Sequence, residues 1–244
     1  MAKAFKRNDG RKVDEMRPME AKLGVVKSAE GSAMFKAGKT IAIAAVRGPR
    51  EVVPAHKQRA DRGLLRCTYD LLSFSVNDRK RPGPSRRSSE IGMVIENALL
   101  PAMDLSDWPY TSVDLYVYIT QADAGTRCAG INAAALALAD AGIPMKELVS
   151  AVAVGKVDGQ VIVDIDKHEE DQGEFPTDIP VAMMPNSGKV TLLQLDGKIT
   201  KDELNSALKL AEKSCKEIQE VQKQAIRAKY VSKEESKWKI TWNH

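Results

Sequence analysis

The sequence predicts a mixed α/β fold, sheets with helices packed on them, and three stretches predict it. Val113, Leu115, Val117 and Ile119 alternate with Asp114, Tyr116 and Tyr118, the two-residue period of a half-buried strand. Ile91, Val94, Ile95, Ala98 and Leu99 recur at helical spacing. Val149–Val154 and Val161–Asp166 flank the turn Val157-Asp158-Gly159-Gln160 and read as hairpin strands. A chain of 244 residues has room for one large domain or two small ones.

In chain order, Ile41–Val46 is a buried strand stopped by Gly48-Pro49. Residues 55–66 form a polar, basic loop, and Leu64–Ser75 a strand. Asn77–Pro84 is a turn-rich basic loop, after which Ser85 or Ser88 caps a helix that Pro101 ends. Gln121–Arg127 turns the chain into an Ala-rich helix, Cys128–Ala141, stopped by Gly142 and Pro144. Beyond an acidic stretch come strands near Val181–Met184 and Val190–Leu195. Thr200 and Glu203 make a capping box for a last helix. Its apolar stripe is Leu204, Ala207, Leu208, Ala211, Cys215, Ile218, Val221 and Ala225. The charged stretch after Tyr230 is expected to be loose.

Composition removes several function classes. Hydrophobic residues at 43% and charged ones at 29% exclude a disordered chain. No apolar run approaches the roughly 18 residues of a membrane helix. Met1–Gly10 lacks the apolar region of a secretory signal. Cys67, Cys128 and Cys215 stand far apart without a CxxC, which argues against a disulfide framework or a cysteine zinc site and for a reducing cytoplasm.

The net charge of +4 hides an asymmetry. Residues 1–100 carry +10 and residues 101–244 carry −6; 12 of 14 arginines lie in the first hundred. Arginine is the side chain of bidentate phosphate recognition. A basic half beside an acidic half suits a polyanion on one side and metal or acid chemistry on the other. Salt bridges between the halves fit the composition equally well.

Three clusters carry chemistry. Asp123-Ala124-Gly125-Thr126-Arg127 joins a strand to a helix start. Unpaired amides there favour an anion, Gly125 admits it closely, Thr126 adds a hydroxyl and Arg127 a guanidinium fork. An ordinary cap with a surface arginine is the plainer reading. Asp164-Ile165-Asp166-Lys167-His168-Glu169-Glu170-Asp171 groups five acids in eight residues, a donor set for a hard divalent cation or a solvated acidic loop. His56–Arg87 sets nine Lys/Arg against three Asp, with Arg86 and Arg87 at a helix start. Few aromatics interleave, so contacts to a phosphate chain should outweigh base stacking. A solvated basic face fits as well.

The order of these clusters, with further motifs, resembles the RNase PH family in its exosome-ring branch. The motifs are Arg7-x-Asp9-Gly10-Arg11 with Glu15-x-Arg17-Pro18, Gly31-Ser32-Ala33, Gly48-Pro49-Arg50-Glu51, Ser85-Arg86-Arg87, Asp123–Arg127, Ala137–Pro144 and Asp164-x-Asp166. The resemblance spans about residues 5–230. It implies a duplicated unit of mixed sheet and helix. It divides the chain into an N-terminal extension on a partner (1–17), a catalytic domain (18–230) and a charged tail (231–244).

The implied activity is 3′→5′ exoribonuclease by phosphorolysis. Inorganic phosphate attacks the last phosphodiester and releases a nucleoside diphosphate, a step reversible to tail addition. Gly125, Thr126 and Arg127 inherit phosphate binding. Arg86, Arg87 and, from a basic channel loop, Arg62 inherit RNA binding. Asp164, Asp166 and Glu170 inherit catalysis, with Asp164 and Glu170 on Mg2+ or Mn2+. Relatives place a second Asp six positions after the first; here that position is Glu170, with Asp171 next.

Implied partners are single-stranded RNA 3′ ends, a related inactive subunit that closes a hexameric ring of three heterodimers, and RNA-binding cap subunits, with no membrane. Two alternatives are a ring scaffold that binds RNA without catalysis and a homo-hexamer trimming transfer RNA ends.

Overall fold

The two-residue period becomes strands with one dry and one wetter face. In the computed structural model, which describes residues 7–172 and 176–238, the first sheet contains β1 (Met19–Leu23), β2 (Gly31–Ala37), β3 (Thr40–Glu51), β4 (Leu64–Leu71) and β5 (Thr111–Gln121). Along β3, Thr40, Ala42, Ala44 and Val46 are buried while Ile41, Ile43 and Ala45 are half-buried. The strand order is β1-β2-β3-β5-β4. β4 pairs with β5 in parallel because helix α1 (Arg86–Leu99) lies in the crossover between them; the other pairings in this sheet are antiparallel.

Ser85 caps α1, accepting from the Ser88 amide at 3.0 Å. Ser88 itself is buried and its hydroxyl donates to Asp70 at 2.7 Å.

After α2 (Thr126–Asp140) comes an antiparallel second sheet in the order β7-β6-β8-β9. Its strands are β6 (Ser150–Val157), β7 (Gln160–Val163), β8 (Thr177–Met184) and β9 (Lys189–Leu193). The short helix α3 (Lys167–Gln172) sits between β7 and β8, and α4 (Lys201–Trp238) closes the described chain. The capping box holds: the Thr200 amide donates to Glu203 at 2.9 Å, and the Glu203 amide to Thr200 Oγ1 at 3.4 Å.

The position of α2 explains its composition. It touches β2, β3 and β5 of one sheet and β6 and β8 of the other, and every residue from Cys128 to Leu138 is buried. Alanine lets both sheets approach the helix axis. Ile131, Leu136 and Leu138 are fully buried, each worth roughly 1.5–3 kcal/mol. Gly31 abuts the helix end, where an added Cβ would lie 2.2 Å from the Ala141 nitrogen.

Several boundaries differ from expectation: β4 stops at Leu71, short of Ser75, and β7 at Val163, short of Asp166, while two other elements run on. β3 runs through Gly48-Pro49 to Glu51 because a bulge between Arg47 and Arg50 absorbs the interruption, with Gly48 at φ 115. The segment after Tyr230 continues the backbone of α4 to Trp238, since Lys, Glu and Ser do not end a helix. Residues 239–244 of the expected tail and 1–6 of the expected extension lie outside the described residues. Residues 7–17 engage this chain's own acidic segment, with Arg7 and Arg17 buried there.

Candidate active site

Both sheets contribute walls to one open cleft of about 920 Å³. The Asp123–Cys128 turn lines one side, and Glu170, Asp171 and Asp178 line the other. Arg87 and Phe74 face the same space from the loop before α1 and its first turn.

Ala124 and Gly125 turn the chain through left-handed backbone, at φ 54 and φ 62. Gly125 occupies the cap position of α2 and no side chain caps the helix, so its first amides remain available to an anion. The turn is braced from behind. Thr40 Oγ1 donates to the Ala124 carbonyl at 2.8 Å and accepts from the Asp123 amide at 3.0 Å. Arg17 Nη1 donates to the Asp123 carbonyl at 2.5 Å. Arg127 Nη1 donates to Gln194 Oε1 at 2.7 Å, which fixes the guanidinium across the gap between sheets.

Asp178 is the one residue of β8 that is only partly buried. Burial pushes its carboxyl up to about 6; Arg127 and Arg87 pull it down, while Glu170 and Asp196 push it further up. Asp178, Arg127, Glu170 and Arg87 therefore share one electrostatic environment. A carboxyl near 6 can give or take a proton near neutral pH.

The structure brings Gly125, Thr126, Arg127, Arg87 and Glu170 together and separates the other expected residues. Asp164 does not line this cleft, and its carboxylate is occupied. Arg17 donates to Oδ2 through its amide (2.8 Å) and Nε (2.9 Å), and to Oδ1 through Nη2 (2.7 Å). Burial opposes its ionisation, but the hydrogen bonds and charge of Arg17 prevail and hold it below the usual carboxylate range. The expected catalytic and metal residue thus stands apart from the cleft, with both its oxygens serving a guanidinium.

Asp166 caps α3 instead of facing the cleft. Its Oδ1 accepts from the Glu169 amide at 2.9 Å, and its own amide donates to Glu169 Oε2 at 3.1 Å. Arg86 is exposed and lies outside the cleft lining, one residue before Arg87. Arg62 is exposed beside Asp61, at 3.7 Å, and also lies outside the lining.

Two cleft residues escaped the sequence reading. Asp178 had a signal, as the lone charge in the run Thr177–Met184. Phe74, 74% exposed on the cleft, is a single aromatic among serines and basic residues, and nothing in the pattern marks it.

Comparison with known proteins places this geometry. Residues 15–144 match domain 1 of the 3′ exoribonuclease family (RNase PH), and residues 147–214 match its domain 2. Exosome complex component Rrp41 of Thermococcus kodakarensis is 53% identical over 226 residues, covering 93% of this chain and 90% of that one. The protein of the same name from Methanopyrus kandleri is 52% identical over 224 residues, covering 92% and 93%. Among solved structures, rice Rrp46 superposes with a TM-score of 0.78 at 23% identity, over 89% of this chain and 98% of that one. The Archaeoglobus fulgidus exosome with RNA bound to the active site gives 0.75 at 23% identity, over 88% and 92%. These two likenesses establish the fold, and with both family domains matched in order along the sequence, the chain belongs to the RNase PH family of 3′ exoribonucleases.

Proposed function

We propose that this chain is a 3′→5′ exoribonuclease that degrades RNA by phosphorolysis as the catalytic subunit of an exosome ring. The observation that carries the reading is one cleft in which an anion-binding turn, Gly125-Thr126-Arg127, faces an acid with a pKa of about 6, Asp178. The relatives named as exosome components support it.

Phosphoryl transfer depends on placement and charge neutralisation more than on a side-chain nucleophile. The amides of α2, Thr126 and Arg127 hold orthophosphate against the repulsion of the RNA phosphate. Its oxygen attacks the terminal phosphorus, and the bond from phosphorus to the preceding 3′ oxygen breaks. That oxygen takes a proton from Asp178, the terminal residue leaves as a nucleoside diphosphate, and solvent reprotonates Asp178. Arg87 grips the RNA backbone, and Phe74 offers a face to a base.

For a divalent cation such as Mg2+ or Mn2+, Asp164 does not fit, because arginine holds both its oxygens. Glu170 and Asp171 fit better: both line the cleft, and their described partner is the exposed Lys167, at 3.9 Å and 2.6 Å, an ammonium on a flexible stem that can swing away and leave hard carboxylate oxygens, with phosphate and water, to such an ion. When bound there, the cation neutralises phosphate charge.

The chain joins a related inactive subunit in a ring of three heterodimers with RNA-binding caps, and works in the cytoplasm. Its three cysteines are free, which suits a reducing compartment, and among the described residues no helix is long and apolar enough to cross a membrane.

The test is incubation of the assembled ring with 5′-labelled oligo(A), with and without phosphate. Shortening that requires phosphate and yields nucleoside diphosphates is expected. Nucleoside monophosphates would replace phosphorolysis with hydrolysis, and an inert ring would leave this chain a scaffold.

A further inference from the structure

Three arginines of the N-terminal segment converge on the residue that follows β7 of the second sheet. Asp164 leaves β7 with left-handed backbone, φ 54. Its carbonyl accepts from Arg7 Nη2 at 2.8 Å and Arg11 Nη1 at 3.2 Å. Arg7 also binds Glu169 through Nε at 2.7 Å and Nη2 at 2.8 Å, and the Val163 carbonyl at 2.9 Å. Asp164 is thereby pinned, and its side chain pins Arg17.

The guanidinium of Arg17 is shared between two partners. Nε and Nη2 serve the Asp164 carboxylate, and Nη1 serves the Asp123 carbonyl. It lies beneath the anion-binding turn, where an added Cβ on Gly125 would stand 3.4 Å from Arg17 Nη2. Gly38 leaves space for the arginine stem, since a Cβ there would lie 2.5 Å from Cδ. The chain of contacts runs from the second sheet, through Asp164 and Arg17, to the backbone that presents Gly125, Thr126 and Arg127.

The geometry points to Arg17, oriented by Asp164, as a positioning residue for the attacking phosphate. It touches neither RNA nor phosphate; it sets where the turn's amides stand. The N-terminal segment therefore governs affinity for phosphate while leaving the RNA grip, on Arg87 and Phe74, alone. This rests on the phosphorolytic reading.

Two conservative variants test it in the assembled ring. Arg17→Lys keeps the charge, but an ammonium cannot span both partners in one plane. Asp164→Asn keeps shape and removes the charge that orients Arg17. Each should raise KM for phosphate about tenfold, with kcat at saturating phosphate and KM for RNA within about twofold. In the reverse direction, KM for the nucleoside diphosphate should rise alike. The control is Lys229→Met, which breaks the ion pair with Asp140 at the far end of α2. It should lower the melting temperature with no change in phosphate KM.

A phosphate-dependent wild type whose Arg17→Lys variant melts lower yet keeps its phosphate KM overturns the positioning role alone. An equal KM shift in Lys229→Met also overturns it, because loosening of the fold would then suffice. A wild-type ring indifferent to phosphate overturns the phosphorolytic reading and this role together.

Discussion

Arg127 on α2 and Gln194, one residue beyond β9, are joined by a hydrogen bond of 2.7 Å, so the two halves of the chain meet at the anion-binding turn. Arg127→Ala should reduce turnover about 100-fold or more, because it removes a charge aimed at the reacting phosphates. Gln194→Leu should cost less, about three- to tenfold in phosphate KM, because the guanidinium remains but loses its tether. Steady-state assays at varied phosphate check both. The melting temperature should hold in each.

Asp178 carries a pH signature. Its folded pKa, about 6, lies above its ordinary value of 3.8. Between those values the native state holds more protons than the unfolded chain, so stability falls as pH rises from about 4 to 6 and is level above. Asp178→Asn removes that loss. With divalent ions chelated, the variant should be more stable than wild type at pH 7 by roughly 1–3 kcal/mol, and nearly equal at pH 4. It should also turn over at least about 100-fold more slowly. Denaturation midpoints at the two pH values, beside an activity assay, check the pair.

RNA contacts should divide unevenly along the loop and first turn of α1. Arg87 lines the cleft and Arg86 does not. Arg87→Ala should weaken oligo(A) binding and reduce the salt slope by about one, while Arg86→Ala should do less of both. Phe74→Ala should weaken binding about tenfold with the salt slope kept, since stacking is worth about 1–3 kcal/mol per base and releases no counterions. Binding isotherms at several salt concentrations separate the two kinds of contact.

Gly155 on β6 leaves no space for a side chain: an added Cβ would lie 1.9 Å from the Thr177 carbonyl oxygen. Gly155→Ala must move the strand that carries Asp178. It should destabilise by roughly 2–4 kcal/mol and depress turnover even at temperatures where the protein stays folded. Chemical denaturation and rate measurements on the same sample check this.

Local chemistry made much of this legible. The alternation at Val113–Ile119 became β5, and the helical spacing at Ile91–Leu99 became α1. Gly125, Thr126 and Arg127 are neighbours in sequence, so their grouping at the start of α2 was readable, while their common cleft with Arg87 and Glu170 was not. Asp164 stands near Asp166 in sequence, which suggests a cation, while its neighbour in the fold is a guanidinium. Arg17 lies 147 positions away in sequence, and no local pattern reports that pairing. Asp178 was hidden for a similar reason. Its environment comes from Arg127, Glu170 and Asp196, which only the closed fold assembles around it.

The burial of α2 on both flanks has a consequence for anyone who would divide the protein. Its alanine surface is owed to two sheets at once, so an excised first half would display bare hydrocarbon to water, and an excised second half would lack the scaffold on which it sits. The matched family domains are sequence units that share a single interior, so neither can be lifted away without stripping the other.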